Sequence, residues 1–204
     1  MMFKLNSQNP QLRLVRRTVD MLQRGGVIIY PTDTTYGIGC DLFHKKAVAR
    51  VYRIKDAEPD KPLSFICADL KELSTYAVGV SNYAYKTMRR LLPGPYTFVL
   101  RASKMVPKIM VSRQKTVGIR IPDNEICLSI VRELGHPLVS TSVAQPRDEV
   151  LSDPEEIHAR FGKQVDLVID GGTLLSDLSS VVDLSGEVPE VIREGRGDVH
   201  FFLE

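Results

Sequence analysis

Residues 24–39 read RGGVIIYPTDTTYGIG and contain the sharpest change of pattern in the chain. The apolar run Val27–Tyr30 predicts a short buried strand, and the glycine pair in front of it ends a helix. That helix is expected from Pro10 to Arg24, because an apolar stripe with helical spacing comprises Leu12, Leu14, Val15, Val19 and Leu22. The polar segment after the strand is predicted to be a loop.

The same alternation continues to the C-terminus. Further helices are predicted at 45–55, 82–92 and 124–134, and a fourth begins at the capping-box pattern Ser152-Asp153-Pro154-Glu155 and ends near Phe161. Further strands are predicted at 63–67, 96–101, 116–121, 138–141, 167–170, 181–184 and 191–193. Helices that alternate with short strands indicate an α/β fold, and several connections too short for a crossover helix predict a mixed sheet. We expect one twisted, mixed sheet flanked by helices, forming a single domain over residues 1–204.

Composition excludes several classes of protein. The chain has 204 residues, of which 43% are hydrophobic and 25% are charged, so it is neither disordered nor fibrous as a whole. No apolar run approaches the roughly 20 residues of a membrane helix, and the N-terminus lacks an apolar signal core, so we expect a cytoplasmic protein without membrane contact. The spacing of Cys40, Cys67 and Cys127 predicts reduced thiols and no zinc site.

Charge is unevenly distributed along the chain. Residues 45–120 carry 16 Lys or Arg and five Asp or Glu, a balance of +11, whereas residues 121–204 have a balance of −11. The basic stretch, which includes Lys86, Arg89 and Arg90 on one predicted helix, suggests a surface for phosphates or nucleic acid. Solvated faces neutralised by the acidic half explain it equally well, and both interpretations can hold together.

Several loops carry groups suited to chemistry, although each is weak evidence alone. The loop Pro31–Gly39 combines hydroxyls, Asp33 and two glycines at a strand end, which fits a small polar ligand or a structural turn. Residues 54–63 hold two lysines, residues 140–146 begin with three hydroxyls, and residues 192–197 place arginines beside glycines. The chain has no Walker loop, no Ser-His-Asp order and no metal cluster, and its four histidines have no obvious carboxylate partner.

Taken in order, these motifs resemble the YrdC/YciO family over about residues 10–198. The motifs are Pro31–Cys40, Lys55 with Lys61-Pro62-Leu63, Pro93–Thr97, Gly118–Pro122, Ser140–Ser142, Ser180–Asp183 and Arg193–Gly195. The resemblance implies a YrdC/RibB-like fold with a basic groove. It also implies synthesis of threonylcarbamoyl-AMP from L-threonine, bicarbonate and ATP with magnesium, for tRNA threonylcarbamoyladenosine. Binding of double-stranded RNA or tRNA is the other implied property.

The resemblance also implies roles for individual residues. Lys55 and Ser142 would be catalytic. Thr34, Arg120, Ser140 and Ser180 (or its neighbour Ser179) would bind the threonine substrate, with Arg120 on the carboxylate. Lys61, Thr116, Ser142 and Arg193 would bind the nucleotide.

Two departures from the family's pattern point to the YciO branch. The synthases pair a Lys-x-Arg motif with a Ser-x-Asn motif, but this chain reads Lys55-Asp56-Ala57 and Ser142-Val143-Ala144. The loss of a guanidinium removes bidentate phosphate binding, and the loss of one oriented donor costs ~10²–10³ in rate. We therefore expect a protein that binds nucleotide, RNA or both through a basic groove, with Lys86, Arg89 and Arg90 as nucleic-acid contacts. The alternative is a weakened or diverged synthase.

Overall fold

The computed structural model describes residues 1–55, 63–112, 114–143, 150–175 and 177–203. The helices are α1 (Leu12–Gln23), α2 (Lys45–Ile54), α3 (Leu73–Tyr76), α4 (Asn82–Leu91), α5 (Glu125–Leu134) and α6 (Pro154–Phe161). The strands are β1 (Met2–Lys4), β2 (Val27–Tyr30), β3 (Gly37–Asp41), β4 (Ser64–Ile66), β5 (Tyr96–Arg101), β6 (Thr116–Arg120), β7 (Leu138–Ser142), β8 (Leu167–Asp170), β9 (Ser180–Asp183) and β10 (Glu190–Arg193).

Within the described residues the strands form one sheet in the order β1-β8-β2-β3-β7-β4-β6-β5-β9-β10. Neighbours β1 and β8, β2 and β8, β4 and β6, and β5 and β9 are parallel, and the remaining pairs are antiparallel. The predicted α/β fold with a mixed sheet is therefore confirmed. Both edges are protected against further pairing: β1 is short and carries Lys4, and β10 follows Pro189 and contains a register shift.

Helices cover the two faces of the sheet unequally. On one face, α2, α3, α4 and α6 pack against the larger of two hydrophobic clusters, which runs from β2 to β9. On the other face, α1 and α5 pack against the smaller cluster, which covers β1, β8 and β2 and reaches Leu138 of β7 and Ile66 of β4. Beyond these two residues, no helix of the smaller cluster covers the strands from β7 to β9 in the described part of the chain. That uncovered area is where a groove can form.

Helix ends follow local side-chain chemistry. Ser81 Oγ accepts from the amide of Ala84 at the start of α4, and Gly135 ends α5 with φ +80°. The predicted capping box at Ser152 is wrong. Asp153 caps α6 instead, because its Oδ1 accepts from two backbone amides at 2.9 and 3.1 Å and Pro154 occupies the first helical position.

Two strands, one α-helix and the two short 3-10 helices Lys108–Met110 and His200–Phe202 were not predicted. β1 has three residues and α3 has four, which is too short to show a period. β3 lies where the Gly37-Ile38-Gly39 segment predicted a loop; it pairs antiparallel with both β2 and β7. The two glycines indicate a turn by sequence rules, but here they are strand residues.

Candidate functional site

A pocket of about 210 Å³ lies on the uncovered face of the sheet. Its floor is built from small polar side chains that alternate along neighbouring strands, namely Ser64, Thr97, Thr116, Ser140, Ser142 and Ser179. The residues between them, such as Phe65, Phe98 and Val139, point to the other face and belong to the larger hydrophobic cluster. Period-two alternation thus gives these strands one apolar face and one hydroxyl-rich face.

The absence of a side chain at Gly118 leaves space for the hydroxyl side chains of the pocket floor. Gly118 pairs with Ser64 across the β4–β6 ladder. A Cβ at this position would lie 2.6 Å from Ser64 Oγ and 3.2 Å from Thr97 Cγ2. Any other residue would therefore push the neighbouring side chains into the pocket.

Arg120 is the best anchored cation in the pocket. Its Nη2 donates to Thr34 Oγ1 at 2.6 Å, to Thr32 Oγ1 at 3.2 Å and to Asp33 Oδ1. The Arg120 and Asp33 side chains are only 11% and 10% exposed, so this is a buried ion pair. Arg120 Nε and Asp33 Oδ2 are buried without a hydrogen-bond partner among the described residues. The guanidinium is thus held firmly by the loop between β2 and β3.

Arg193 reaches the same pocket from the edge of the sheet. In β10 the register shifts between Val191 and Arg193, so that Arg193 pairs with Val181 and one residue, Ile192, is extra. This bulge packs the partly buried Val191 against the larger hydrophobic cluster and places Arg193 on the pocket face, although simple alternation would put both on one face. Arg193 Nε and Nη2 then donate to Ser179 O and Oγ at 3.0 and 3.2 Å.

The guanidinium of Arg193 is affected by the charge of Arg120. The pKa of Arg193 is lowered, first by burial and second by the positive charge of Arg120. Two like charges that face one pocket favour an anionic ligand between them, because an anion would offset their repulsion. The pocket therefore suits a carboxylate, a phosphate or both.

The other predicted site residues fall into two groups. Thr116, Ser140 and Ser142 line the pocket together with Arg120 and Arg193, and Thr116 Oγ1 lies 2.7 Å from Ser112 Oγ. Thr34 does not line the pocket: its hydroxyl is buried behind Arg120 and accepts from it.

Ser180, predicted to bind the substrate, is also not among the residues that line the pocket. Its Oγ donates to Gly197 O at 2.6 Å and accepts from the amide of Gly195 at 3.0 Å, on the opposite side of β9. Strand alternation places the neighbouring Ser179 in the pocket instead, where its Oγ lies 3.0 Å from Thr97 Oγ1. Ser180 therefore anchors the C-terminal turn.

The predicted lysines lie elsewhere. Lys55 follows the last residue of α2, is buried and is not among the residues that line the pocket. Lys61 lies outside the described residues, as do Ala57 and Ala144. Lys86, Arg89 and Arg90 are exposed on α4, which packs on the face of the sheet opposite the pocket.

Sequence reasoning missed two lining residues and one contact between a histidine and a carboxylate. Ser64 and Thr97 lie inside predicted strands, where period-two alternation places them on one face, and Thr97 also ends one of the ordered motifs. Arg196 is a further contact, since its Nη1 donates to Asp33 O at 2.7 Å and ties the C-terminal segment to the loop between β2 and β3. His136, predicted to have no carboxylate partner, has its Nε2 3.6 Å from Asp41 Oδ2. The described residues contain no cluster of three metal-ligating side chains, and none of their helices is long and apolar enough to span a membrane.

Comparison with known proteins identifies the family of the chain. Residues 20–195 match the family model named Sua5_yciO_yrdC, described as "Telomere recombination". An uncharacterized protein of Haemophilus influenzae is 44% identical over 98% of both chains, and a putative threonylcarbamoyl-AMP synthase of Methanocaldococcus jannaschii is 38% identical over 84% of this chain and 80% of its own.

Solved structures show the same relationship. The crystal structure of Escherichia coli YciO matches with a TM-score of 0.95 and 43% identity, covering 99% of this chain and 98% of that one. Pyrococcus abyssi Sua5 complexed with L-threonine matches with a TM-score of 0.90 and 26% identity, covering 96% of this chain and 57% of that one. The chain therefore belongs to the Sua5/YciO/YrdC family.

Proposed function

We propose that the pocket binds an adenine nucleotide together with L-threonine or a similar amino acid, and that the protein is a YciO-type relative of the threonylcarbamoyl-AMP synthases with little or no synthase turnover. The observation that carries this proposal is the pair Arg120 and Arg193, which both line one hydroxyl-floored pocket. The L-threonine complex of the similar Sua5 structure supports an amino-acid ligand.

Each guanidinium suits one anionic group. Arg120 is held by Asp33 and two threonines, which gives the fixed orientation that recognition of a carboxylate requires. Arg193 lies at the rim, where it is positioned for a phosphate of the nucleotide. The floor hydroxyls of Ser64 and Ser140 supply neutral donors and acceptors for the uncharged parts of the ligands.

The reaction implied by the family is a two-step condensation. The threonine amine adds to the carbon of bicarbonate and water leaves, which forms a carbamate. A carbamate oxygen then attacks the α-phosphorus of ATP, and pyrophosphate leaves with its magnesium. Charge accumulates on the phosphate oxygens during the second step. This chain has Ala57 and Ala144 where the synthases' motifs have Arg and Asn, so it lacks two hydrogen-bond donors to those oxygens. The loss of these donors therefore lowers the rate of turnover more than it weakens the binding of ATP and L-threonine.

Two measurements on one preparation test this proposal. Calorimetric titration should show binding of ATP and of L-threonine, and Arg193→Gln should weaken ATP binding by about tenfold or more, the contribution of one charge-assisted hydrogen bond. Arg13→Gln is the matched control, because Arg13 is exposed on α1 and outside the pocket lining. Failure of the unmodified protein to bind either ligand would refute the proposal.

Pyrophosphate release with ATP, magnesium and bicarbonate measures the turnover. We expect slow or absent release that depends on L-threonine, and a higher rate in the double variant Ala57→Arg/Ala144→Asn. Fast threonine-dependent release by the unmodified protein would make it a synthase in the full sense. A folded double variant with no gain would show that the two departures are not the main obstacle.

A second function, RNA binding, is favoured by a separate surface. The exposed side of α4 carries Lys86, Arg89 and Arg90 beside Tyr83 and Tyr85, which are 51% and 43% exposed. Basic side chains next to exposed aromatic rings suit phosphates and unpaired bases, respectively. Because α4 lies on the face opposite the pocket, this surface would act independently of nucleotide binding.

Reversal of the three α4 charges to glutamate should weaken RNA binding and reduce its dependence on salt concentration, because fewer counterions are released. The matched control reverses three arginines of α1, at Arg13, Arg16 and Arg17. Binding to a tRNA and to an RNA duplex should be measured by fluorescence anisotropy at two salt concentrations. Equal effects of both triple variants, or no RNA binding at all, would exclude this function.

A further inference from the structure

Ser140 receives a hydrogen bond from a tyrosine two strands away. The Tyr30 hydroxyl donates to Ser140 Oγ at 2.5 Å, although Tyr30 is in β2 and Ser140 is in β7, with β3 between them. Neighbouring strands are about 4.8 Å apart, so β2 and β7 are separated by roughly 10 Å. The Tyr30 side chain must therefore lie across β3 rather than stand away from the sheet.

Two glycines of β3 make this crossing possible. A Cβ at Gly37 would lie 3.0 Å from Tyr30 Cζ, 3.1 Å from its hydroxyl oxygen and 3.3 Å from Ser140 Oγ. A Cβ at Gly39 would collide first with the backbone carbonyl oxygen of Val139 and would also lie 3.1 Å from Tyr30 Cε1. Gly37 pairs with Tyr30 and Gly39 pairs with Ser140, so the bare backbone of β3 is where the ring passes. The two glycines thus leave the space that the Tyr30 ring needs, in addition to any space that they leave for a ligand.

The hydrogen bond from Tyr30 determines whether the Ser140 hydroxyl can donate to a ligand or accept from it. Tyr30 is fully buried, and burial raises the pKa of its phenol well above the usual value, so the hydroxyl keeps its proton over the working pH range. A phenol is a better donor than an aliphatic alcohol, and Ser140 Oγ therefore accepts from it. The Ser140 proton is left to point into the pocket, which Ser140 lines.

We propose that Tyr30 is a positioning residue, which holds the Ser140 hydroxyl as a donor aimed at the amino-acid ligand. This inference rests on the proposed function, since it concerns the ligand of the same pocket. Tyr30 itself touches no ligand, because it is buried, it is absent from the pocket lining, and its hydroxyl is engaged by Ser140. The preformed orientation lowers the entropy that Ser140 loses when a ligand binds.

A double-mutant cycle with Tyr30→Phe and Ser140→Ala tests this inference. Tyr30→Phe keeps the ring and removes only the donor, so it should raise the Kd for L-threonine by about two- to tenfold, the range of one neutral hydrogen bond. In the Ser140→Ala background the same change should have no effect on that Kd, because the residue it orients is gone. Tyr52→Phe is the matched control: its hydroxyl donates to Ile109 O at 3.0 Å on the other face of the sheet.

The outcomes separate this inference from the proposed function. The same cycle is measured for unfolding in urea, where coupling between Tyr30 and Ser140 reports their hydrogen bond without any ligand. Coupling in both binding and unfolding supports the inference. Coupling in unfolding alone, with an unchanged Kd for L-threonine, leaves the function intact and overturns the positioning role. If the unmodified protein binds no L-threonine, the proposed function fails first, and the inference fails with it.

Discussion

Replacing Asp33 with alanine should destabilise the protein strongly, although Asp33 lies in a loop. The substitution removes the carboxylate that faces Arg120 and leaves the guanidinium buried, with Thr32 and Thr34 as its remaining partners. No other acidic group bonds Arg120 in the described part of the chain. The nearby positive charge of Arg193 adds repulsion.

The expected magnitude follows from burial. Both side chains are about nine-tenths buried, at 11% and 10% exposure, so solvent screens them poorly. Removal of one partner from such a pair typically costs about 3–5 kcal/mol of the free energy of unfolding. The matched surface pair is Arg16 and Glu133, whose side chains are 63% and 35% exposed. Glu133→Ala should therefore cost only about 0–1 kcal/mol.

Urea unfolding followed by circular dichroism measures both variants, with the slope m checked for constancy. A third variant, Asp33→Ala with Arg120→Met, should be less destabilised than Asp33→Ala alone, because it leaves no unpaired buried charge. The reasoning would be refuted if Asp33→Ala and Glu133→Ala had equal effects. It would also be refuted if the double variant were the less stable of the two Asp33 variants.

Three further predictions concern the pocket floor, the thiols and a helix end. Gly118→Ala should weaken L-threonine or ATP binding by about tenfold while the protein stays folded, because the new methyl group displaces Ser64 Oγ into the pocket; calorimetry checks this. Burial raises the pKa of Cys40 and of Cys67 to about 12 from 9.0, so the fold favours the neutral thiols. These thiols should leave the free energy of unfolding unaffected below about pH 9 and lower it as the pH rises from there towards 12, and Cys67→Ala should reduce that slope in urea titrations at several pH values. Ser81→Ala should cost about 1 kcal/mol of unfolding free energy, because it removes the N-cap of α4, and thermal unfolding measures it.

Local patterns were sufficient wherever one element depends on its own residues. The apolar stripe of α1 and the β-branched run of β2 set their structure directly, and short connections implied antiparallel neighbours. The ordered motifs also placed Arg120, Ser140 and Arg193, all of which line the pocket. Arg120 and Arg193 share a feature: each is the last residue of its strand, and ligand-binding residues concentrate at strand ends.

Prediction failed where a residue's surroundings outweigh its own preference. Gly37 and Gly39 indicate a turn, but β3 needs them because the space that side chains would fill is occupied by the Tyr30 ring and, at Gly39, by the Val139 carbonyl as well. Asp153 displaces Ser152 as the cap of α6, since its carboxylate reaches two amides. Both outcomes depend on contacts that the residue types alone do not reveal.

The amino-acid sequence by itself determined the class of fold, the family and most of the pocket's chemistry, because periodicity and motif order are properties of neighbouring residues. Only the tertiary structure decided which hydroxyl of the pair Ser179 and Ser180 faces the pocket, and that the bulge at Ile192 turns Arg193 towards Arg120. It also decided that the basic helix α4 lies on the opposite face from the pocket. The physical reason is register: a shift of one residue in a strand moves a side chain to the other face of the sheet, and register is set by pairing with strands distant in the chain.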